Sequence, residues 1–278
     1  MVLGFDKQKE HFKTILKKDL LGHAYLFSGP EMIGKFNFAK ELCFMANGRP
    51  SESDPDTLII EPQIEEGETK IYIEDIRKVK NFTPLLPYYG PFKFIVINNA
   101  DRLTIEASNS LLKVLEEPNR NTVFILITAL ASSLPQTICS RCQEIKFLAH
   151  TSEIVSNFLA DKKISAKDKE FLVGMAGGRI GWIERVLNDD KIGDIRNAIE
   201  EFELVGAKPI HERMAFAKKI ADNDQKEELI DYWLKWQYAK MMKNGGDIKL
   251  KYLLDLKTVL AQPQYNHRLA IENYLLKL

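Results

Sequence analysis

Apolar positions in the first 150 residues follow two alternating patterns. Four short runs are apolar and rich in branched side chains, as buried strands are. These runs are residues 24–29, 57–62, 93–98 and 122–128. Three stretches between them repeat apolar positions every three to four residues, which is typical of amphipathic helices. These stretches are residues 35–46, 73–82 and 104–117. Strands that alternate with helices predict a parallel sheet covered by helices on both faces.

The pattern changes near His150. From there to residue 278, apolar positions recur with helical spacing, and no run has the character of a strand. We therefore predict three domains. An α/β domain covers residues 1–150, a first helical domain covers 151–205, and a second helical domain covers 206–278.

Composition limits the class of protein. The 278 residues are 45% hydrophobic, which is enough for packed domains. The 39 basic and 39 acidic residues cancel, so no net field attracts the chain to nucleic acid or to anionic membranes. No apolar stretch approaches about 18 residues, and the charged start of the chain does not resemble a signal peptide. We expect a cytoplasmic protein without a membrane partner.

The stretch GPEMIGKF, residues 29–36, follows the first predicted strand and enters a predicted helix. Gly29, Gly34 and Lys35 match the pattern G-x-x-x-x-G-K-[ST] of phosphate-binding loops. In this context, backbone N–H groups and the helix N-terminus can converge on phosphate oxygens. We interpret the stretch as a degenerate phosphate loop. The alternative is an ordinary strand-to-helix turn that contains Gly-Lys by chance.

Nucleotide hydrolysis needs metal ligands that this sequence lacks. Phe36 stands where a Ser or Thr hydroxyl would bind Mg²⁺. Asn98 and Asn99 end the strand 93–98, where two carboxylates are expected. An amide carries no charge to offset Mg²⁺ and cannot act as a general base. These three positions predict that the chain hydrolyses no nucleotide. Phosphate binding stays open, because Lys35 and the loop backbone need no metal.

The nearest carboxylate is that of Asp101, three residues after Asn98. Its position at the start of the following helix is favourable for a negative charge, because the helix dipole is positive there. We interpret Asp101 as a helix cap or as a first-turn charge rather than as a metal ligand.

Two longer stretches carry a family resemblance. NNADRLTIEASNSLLKVLEEP, residues 98–118, precedes ILITALASSLPQTICSRCQEIKF, residues 125–147. Both are similar to clamp-loader subunits of the AAA+ class, and most of all to the delta-prime group of bacterial DNA polymerase III. The resemblance is clearest over residues 22–147. It implies an AAA+ nucleotide-binding-like domain, a small helical lid domain over 151–205, and a helical collar over 206–278 that joins subunits.

Ser140, Arg141 and Cys142 stand in the Ser-Arg-Cys motif of that family. There the arginine projects into the nucleotide site of the neighbouring subunit, so the resemblance implies that Arg141 acts in trans. A guanidinium can stabilise the charge on a phosphoryl group during its transfer. The alternative is an exposed arginine at the turn before the segment EIKF.

Metal sites are not expected. Many relatives carry a four-cysteine zinc module after the first helix, but the corresponding residues 47–56 contain no cysteine. Cys43 stands alone, and Cys139 and Cys142 form one C-x-x-C without a second pair. Three cysteines that cannot all pair also fit a reducing compartment. We predict no zinc and no required cofactor, and binding of ATP or phosphate at the loop stays open.

The sequence thus predicts a clamp-loader subunit that is not an enzyme by itself and that forms part of a DNA polymerase holoenzyme. The implied partners are gamma- or tau-type ATPase subunits and a delta-type subunit in a heteropentamer. Through this complex the chain would act on the sliding clamp and primed DNA. One alternative is an active AAA+ ATPase, either a clamp-loader motor or a DNA-remodelling relative, with Asp101 replacing the lost acids. Another is a nucleotide-sensing adaptor.

Overall fold

The computed structural model describes residues 2–65, 68–119, 121–245, 248–262 and 264–278. The chain divides into two compact units, Met1–His150 and Thr151–Leu278. The further division of the helical part into lid and collar domains stays a prediction. None of the helices in the described part is both long enough and apolar enough to cross a membrane.

The first unit is built on a parallel sheet. Its strands are β1 (Ala24–Ser28), β2 (Thr57–Ile60), β3 (Gln63–Glu65), β4 (Glu68–Lys70), β5 (Lys93–Ile97), β6 (Thr122–Thr128) and β7 (Gln143–Lys146). Five of them form the sheet in the order β2-β5-β6-β1-β7, and every neighbouring pair is parallel. β3 and β4 form a separate antiparallel hairpin. The parallel sheet agrees with the prediction.

Helices cover both faces of this sheet. They are α1 (Asp6–Lys17), α2 (Lys35–Asn47), α3 (Ile73–Phe82), α4 (Ile105–Glu116) and α5 (Gln136–Cys139). Successive side chains of a strand point to opposite faces, and here both sets are buried. Leu26 and Phe124 pack in one apolar cluster with residues of α3 and α4. Phe27 and Phe94 pack in a second cluster with residues of α1 and α2.

In its described residues, the second unit contains helices joined by short connections and no strand, as predicted. Its helices are α6 (Ser152–Ala160), α7 (Ala166–Ala176), α8 (Ile180–Asn188), α9 (Ile192–Val205), α10 (Ile210–Ala221), α11 (Lys226–Asn244), α12 (Ile248–Leu260) and α13 (His267–Leu276). One apolar cluster joins α6, α7 and α8, and another joins α10, α12 and α13. The helix α11 serves both clusters, because Tyr232 is buried in the first and Trp233 in the second.

A buried carboxylate fixes the loop between α3 and β5. Asp56 is 1% exposed, and its Oδ1 accepts a hydrogen bond of 2.6 Å from the backbone N–H of Tyr88. Its Oδ2 accepts hydrogen bonds of 2.7 and 2.9 Å from the N–H groups of Tyr89 and Gly90. Burial opposes ionisation, but these backbone donors hold the pKa of Asp56 below its usual value. The loop that leads into β5 is therefore anchored by one ionised side chain.

We expect Asp56→Asn to lower the free energy of unfolding by about 3 kcal/mol near neutral pH. The amide keeps one acceptor oxygen but turns an NH2 donor toward at least one of the three backbone N–H groups, which is left without an acceptor, and the negative charge that the N–H groups stabilise is lost. The wild-type contribution is present above the unfolded pKa of about 3.9 and is lost as the pH falls through the lower folded pKa. Urea unfolding should therefore separate the two proteins near neutral pH and bring them together in acid.

The control for this substitution is Glu52→Gln, which changes an exposed carboxylate of the same unit. Its effect on the free energy of unfolding should be much smaller than that of Asp56→Asn, because water solvates this side chain in the folded protein. An Asp56→Asn protein as stable as the wild type near neutral pH would contradict the anchoring role.

Candidate functional site

The glycines of the loop between β1 and α2 are explained by backbone geometry. The φ angle is 141° at Gly29 and 104° at Gly34, a region that residues with a Cβ rarely adopt. A Cβ at Gly29 would also lie 2.0 Å from the carbonyl oxygen of Phe147, which follows β7. Gly34 immediately precedes α2, so the loop leads directly into the helix.

Lys35 turns back onto its own loop. Its side chain is buried, and Nζ donates hydrogen bonds to the carbonyl oxygen of Gly29 and, at 2.6 Å, to that of Pro30. Burial lowers the pKa of Lys35 to about 8, although the negative charges of Glu31 and Asp101 act in the opposite direction. Two of the three N–H donors of the ammonium group are thus engaged by the loop itself.

A histidine from outside the loop contacts the end of the loop that precedes α2. His150 is buried, and its Nε2 lies 2.8 Å from the carbonyl oxygen of Ile33. The ring of Phe5 packs 4.6 Å from the ring of His150 and 4.9 Å from that of Phe147, measured between centroids. In the sequence, His150 marks only a change of pattern, and this contact could not be predicted because no motif connects His150 to the loop.

The positions expected to bind a metal hold no carboxylate. Phe36 packs against the apolar cluster of α1 and α2, and Nζ of Lys40 lies 5.1 Å from its ring centroid. The side-chain nitrogen of Asn98 donates to Oε1 of Glu61 at 3.1 Å. Asn99 has a left-handed backbone with φ of 52°, which asparagine tolerates better than most residues. Within the described residues, no group of three or more His, Cys, Asp and Glu side chains could hold a metal ion.

Asp101 lies in a 3₁₀ turn, Ala100–Arg102, that precedes α4. Its Oδ1 accepts a hydrogen bond of 2.9 Å from the hydroxyl of the buried Thr128 at the end of β6. The cap of α4 is instead Thr104, whose side chain accepts a hydrogen bond from the N–H of Ala107. Asp101 therefore neither caps α4 nor lies in its first turn, where the acidic residue is Glu106, so the placement of Asp101 at the start of that helix is wrong; it belongs to the separate 3₁₀ turn before it.

Arg141 is held by its own chain. Nη2 donates a hydrogen bond of 2.6 Å to Oε1 of Glu116, at the end of α4. Nη1 donates to the carbonyl oxygen of Thr137 at 2.9 Å and to Oγ of Ser140 at 3.4 Å. The Arg141 side chain is 33% exposed and that of Glu116 is 50% exposed. These partners belong to α4 and to the segment around α5, and none of them is a residue of the phosphate-type loop.

The three cysteines, all in the described part of the chain, are free thiols. Cys139 and Cys142 pack against the cluster that includes α3 and α4. Burial raises the pKa of the Cys142 thiol to about 12 and also raises that of Cys139. A thiol must lose its proton to bind zinc or to act in redox chemistry, so this environment disfavours both.

Sequence comparison connects the chain to replication proteins. Residues 4–151, just over half of the chain, match the family described as DNA polymerase III, delta subunit. Subunit delta' of DNA polymerase III from Bacillus subtilis is 29% identical in an alignment of 215 positions that covers 70% of this chain and 63% of that protein. Subunit tau from the same bacterium is 32% identical in an alignment of 168 positions that covers 53% of this chain and 29% of that protein. The chain thus spans less than two thirds of each relative.

Structural comparison supports the same fold. A gamma subunit-related protein from Thermotoga maritima has a TM-score of 0.58 and 20% identity, with 97% of this chain and 98% of that chain covered. Together with the five-stranded parallel sheet, this likeness confirms the predicted AAA+ α/β fold followed by a helical region. Because the family match covers more than half of its residues, the chain belongs to the DNA polymerase III delta subunit family.

Proposed function

We propose that this chain is a delta-prime-type subunit of the DNA polymerase III clamp loader and that it has no ATPase activity of its own. The observation that carries the proposal is the state of the nucleotide-type site. Lys35 is bound to carbonyl oxygens of its own loop, and Asn98 and Asn99 stand where carboxylates are needed. The similarity to subunit delta' supports this assignment within the family.

The residues of the site are poorly suited to metal-assisted hydrolysis. A magnesium ion at the phosphates is normally held by a hydroxyl and a carboxylate, and Phe36 and Asn98 supply neither. Two of the three Nζ donors of Lys35 are bound to the carbonyl oxygens of Gly29 and Pro30, so a phosphate would meet one remaining donor unless it displaced these hydrogen bonds. We infer that the chain requires neither a nucleotide nor zinc.

The partners follow from the assembly to which such subunits belong. We infer a hetero-oligomer with gamma- or tau-type ATPase subunits and a delta-type subunit, which acts in the cytoplasm on the sliding clamp and primed DNA. In it, Arg141 would stabilise phosphoryl charge in the site of a neighbouring ATPase subunit. Its place in the motif Ser140-Arg141-Cys142 and its partial exposure support this role.

The rival function is an active ATPase in which Asp101 replaces the missing acids. Asp101 carries the charge that Asn98 and Asn99 lack, and its charge acts on the pKa of Lys35. However, its Oδ1 already accepts the hydroxyl of Thr128. Enzyme assays of the purified chain separate these two functions.

We expect the purified chain to hydrolyse ATP no faster than its Lys35→Ala variant in the presence of Mg²⁺. Steady-state release of phosphate measures this directly. Turnover that requires Mg²⁺ and disappears in Lys35→Ala would contradict the proposal and favour the active ATPase. Tight ATP binding by a chain that enters no larger complex would favour the nucleotide-sensing adaptor.

A further inference from the structure

We propose that Glu116 latches Arg141 in the unassembled chain and releases it to the γ-phosphate of a nucleotide bound by the neighbouring subunit. The inference rests on the proposed trans role of Arg141. It adds a competing carboxylate that controls when the guanidinium is free to act. Glu116 is thus a positioning residue, because it acts only through Arg141.

The contact between the two residues is close and depends on the fold. The distance of 2.6 Å between Nη2 and Oε1 is at the short end for a hydrogen bond between two ionised groups. The partners are 25 residues apart, so the contact forms only when α4 and the turn after α5 are in place. The neighbouring Glu117 makes no ion pair with Arg141 within the described residues, which identifies Glu116 as the partner.

The position of Glu116 in its helix explains why this carboxylate pairs with an arginine. Glu116 is the last residue of α4, where the helix dipole disfavours a negative charge. The guanidinium of Arg141 offsets that charge. The other two acceptors, the Thr137 carbonyl and the Ser140 hydroxyl, are neutral, so they orient the arginine without cancelling its charge. Among these contacts, Glu116 is therefore the one that weakens the field Arg141 can present to a phosphate.

The pair is also weak enough to be exchanged. Glu116 is half exposed and Arg141 one-third exposed, and ion pairs that water can reach contribute little stability. The γ-phosphate of ATP presents more charge and more acceptor oxygens than one carboxylate, whereas ADP lacks this group. Exchange of the carboxylate for phosphate should therefore depend on the triphosphate.

The test measures the Kd of the full chain for a gamma-type ATPase subunit, once with a non-hydrolysable ATP analogue and once with ADP. The variants are Glu116→Gln, Arg141→Ala and the double variant, and Glu117→Gln is the matched control. We expect Glu116→Gln to tighten binding about two- to fivefold with the ATP analogue, the gain from removing one exposed ion pair. Binding with ADP should not change.

The double variant shows whether the effect passes through Arg141. In the Arg141→Ala background, Glu116→Gln should have no effect, because the two residues then share no interaction to lose. Glu117→Gln should behave as the wild type in both nucleotide states. A merely structural role of Glu116 would instead shift binding with ADP and with the ATP analogue equally.

Failure of the latch and failure of the trans role give different results. If Arg141→Ala abolishes the preference for the ATP analogue but Glu116→Gln does not tighten binding, the latch is wrong and the trans role stands. If Arg141→Ala leaves that preference unchanged, the trans role is wrong, and the latch falls with it.

Discussion

Arg141→Ala is expected to slow ATP hydrolysis at one neighbouring site of the reconstituted clamp loader by a factor of about 10³, the lower end for an arginine supplied in trans. Total ATPase should fall only in part, because other subunits supply their own arginines. Clamp loading that requires every site should fall much further. Arg141→Lys should restore little, because a compact ammonium group cannot replace the planar fork of guanidinium donors.

The substitution should leave the fold nearly intact. The Arg141 side chain is partly exposed and pairs with a half-exposed carboxylate, so its loss should cost less than about 1 kcal/mol. Arg77→Ala is the matched control, because Arg77 is an exposed arginine of the same unit that pairs with Glu74. Normal clamp loading by an intact Arg141→Ala complex would contradict the trans role and leave Arg141 as an ordinary exposed arginine.

Gly29→Ala is expected to lower the free energy of unfolding by about 4 kcal/mol, from overpacking and backbone strain together. Its Cβ would lie 2.0 Å from the carbonyl oxygen and 3.0 Å from the carbonyl carbon of Phe147. Phe147 cannot easily move away, because its N–H donates a hydrogen bond of 2.8 Å to the carbonyl oxygen of Ser28. The φ of 141° adds backbone strain.

Gly34→Ala is the matched control. Gly34 also has a positive φ, but a Cβ there would meet its nearest atoms, in Val2 and Phe5, at the ordinary distances of 3.7 and 3.8 Å. Gly34→Ala should lower the free energy of unfolding by about 1 to 2 kcal/mol, because of backbone strain. Urea unfolding of both variants measures the difference, and equal costs would contradict the packing role of Gly29. If the difference holds, the first glycine of the motif is required by the fold whether or not a phosphate binds.

Buried strands could be predicted closely from the sequence. β1, β5 and β6 agree with the apolar runs to within one residue, because central strands of a parallel sheet are buried on both faces and give continuous apolar runs. β7 was not predicted, because it is an edge strand in which Gln143, Glu144 and Lys146 are exposed. Its pairing with β1 depends on tertiary structure, for which the sequence has no local pattern.

Some features of the candidate site could likewise be predicted from the sequence, and others could not. Motif spacing located Phe36, Asn98 and Asn99, because the chemistry of phosphate loops fixes where metal ligands should stand. The contact of Arg141 with Glu116 could not be predicted, since it joins residues 25 apart through the packing of α4 and α5. The same holds for His150 and the carbonyl of Ile33, which are 117 residues apart.

In the proposed role, this chain serves ATP-dependent clamp loading without hydrolysing ATP. The most direct test is the rate at which a reconstituted assembly loads the sliding clamp on primed DNA, measured with and without this chain. We predict that loading requires the chain, because without it one neighbouring ATPase site lacks Arg141. An unchanged loading rate when the chain is omitted would contradict the proposed role as a clamp-loader subunit.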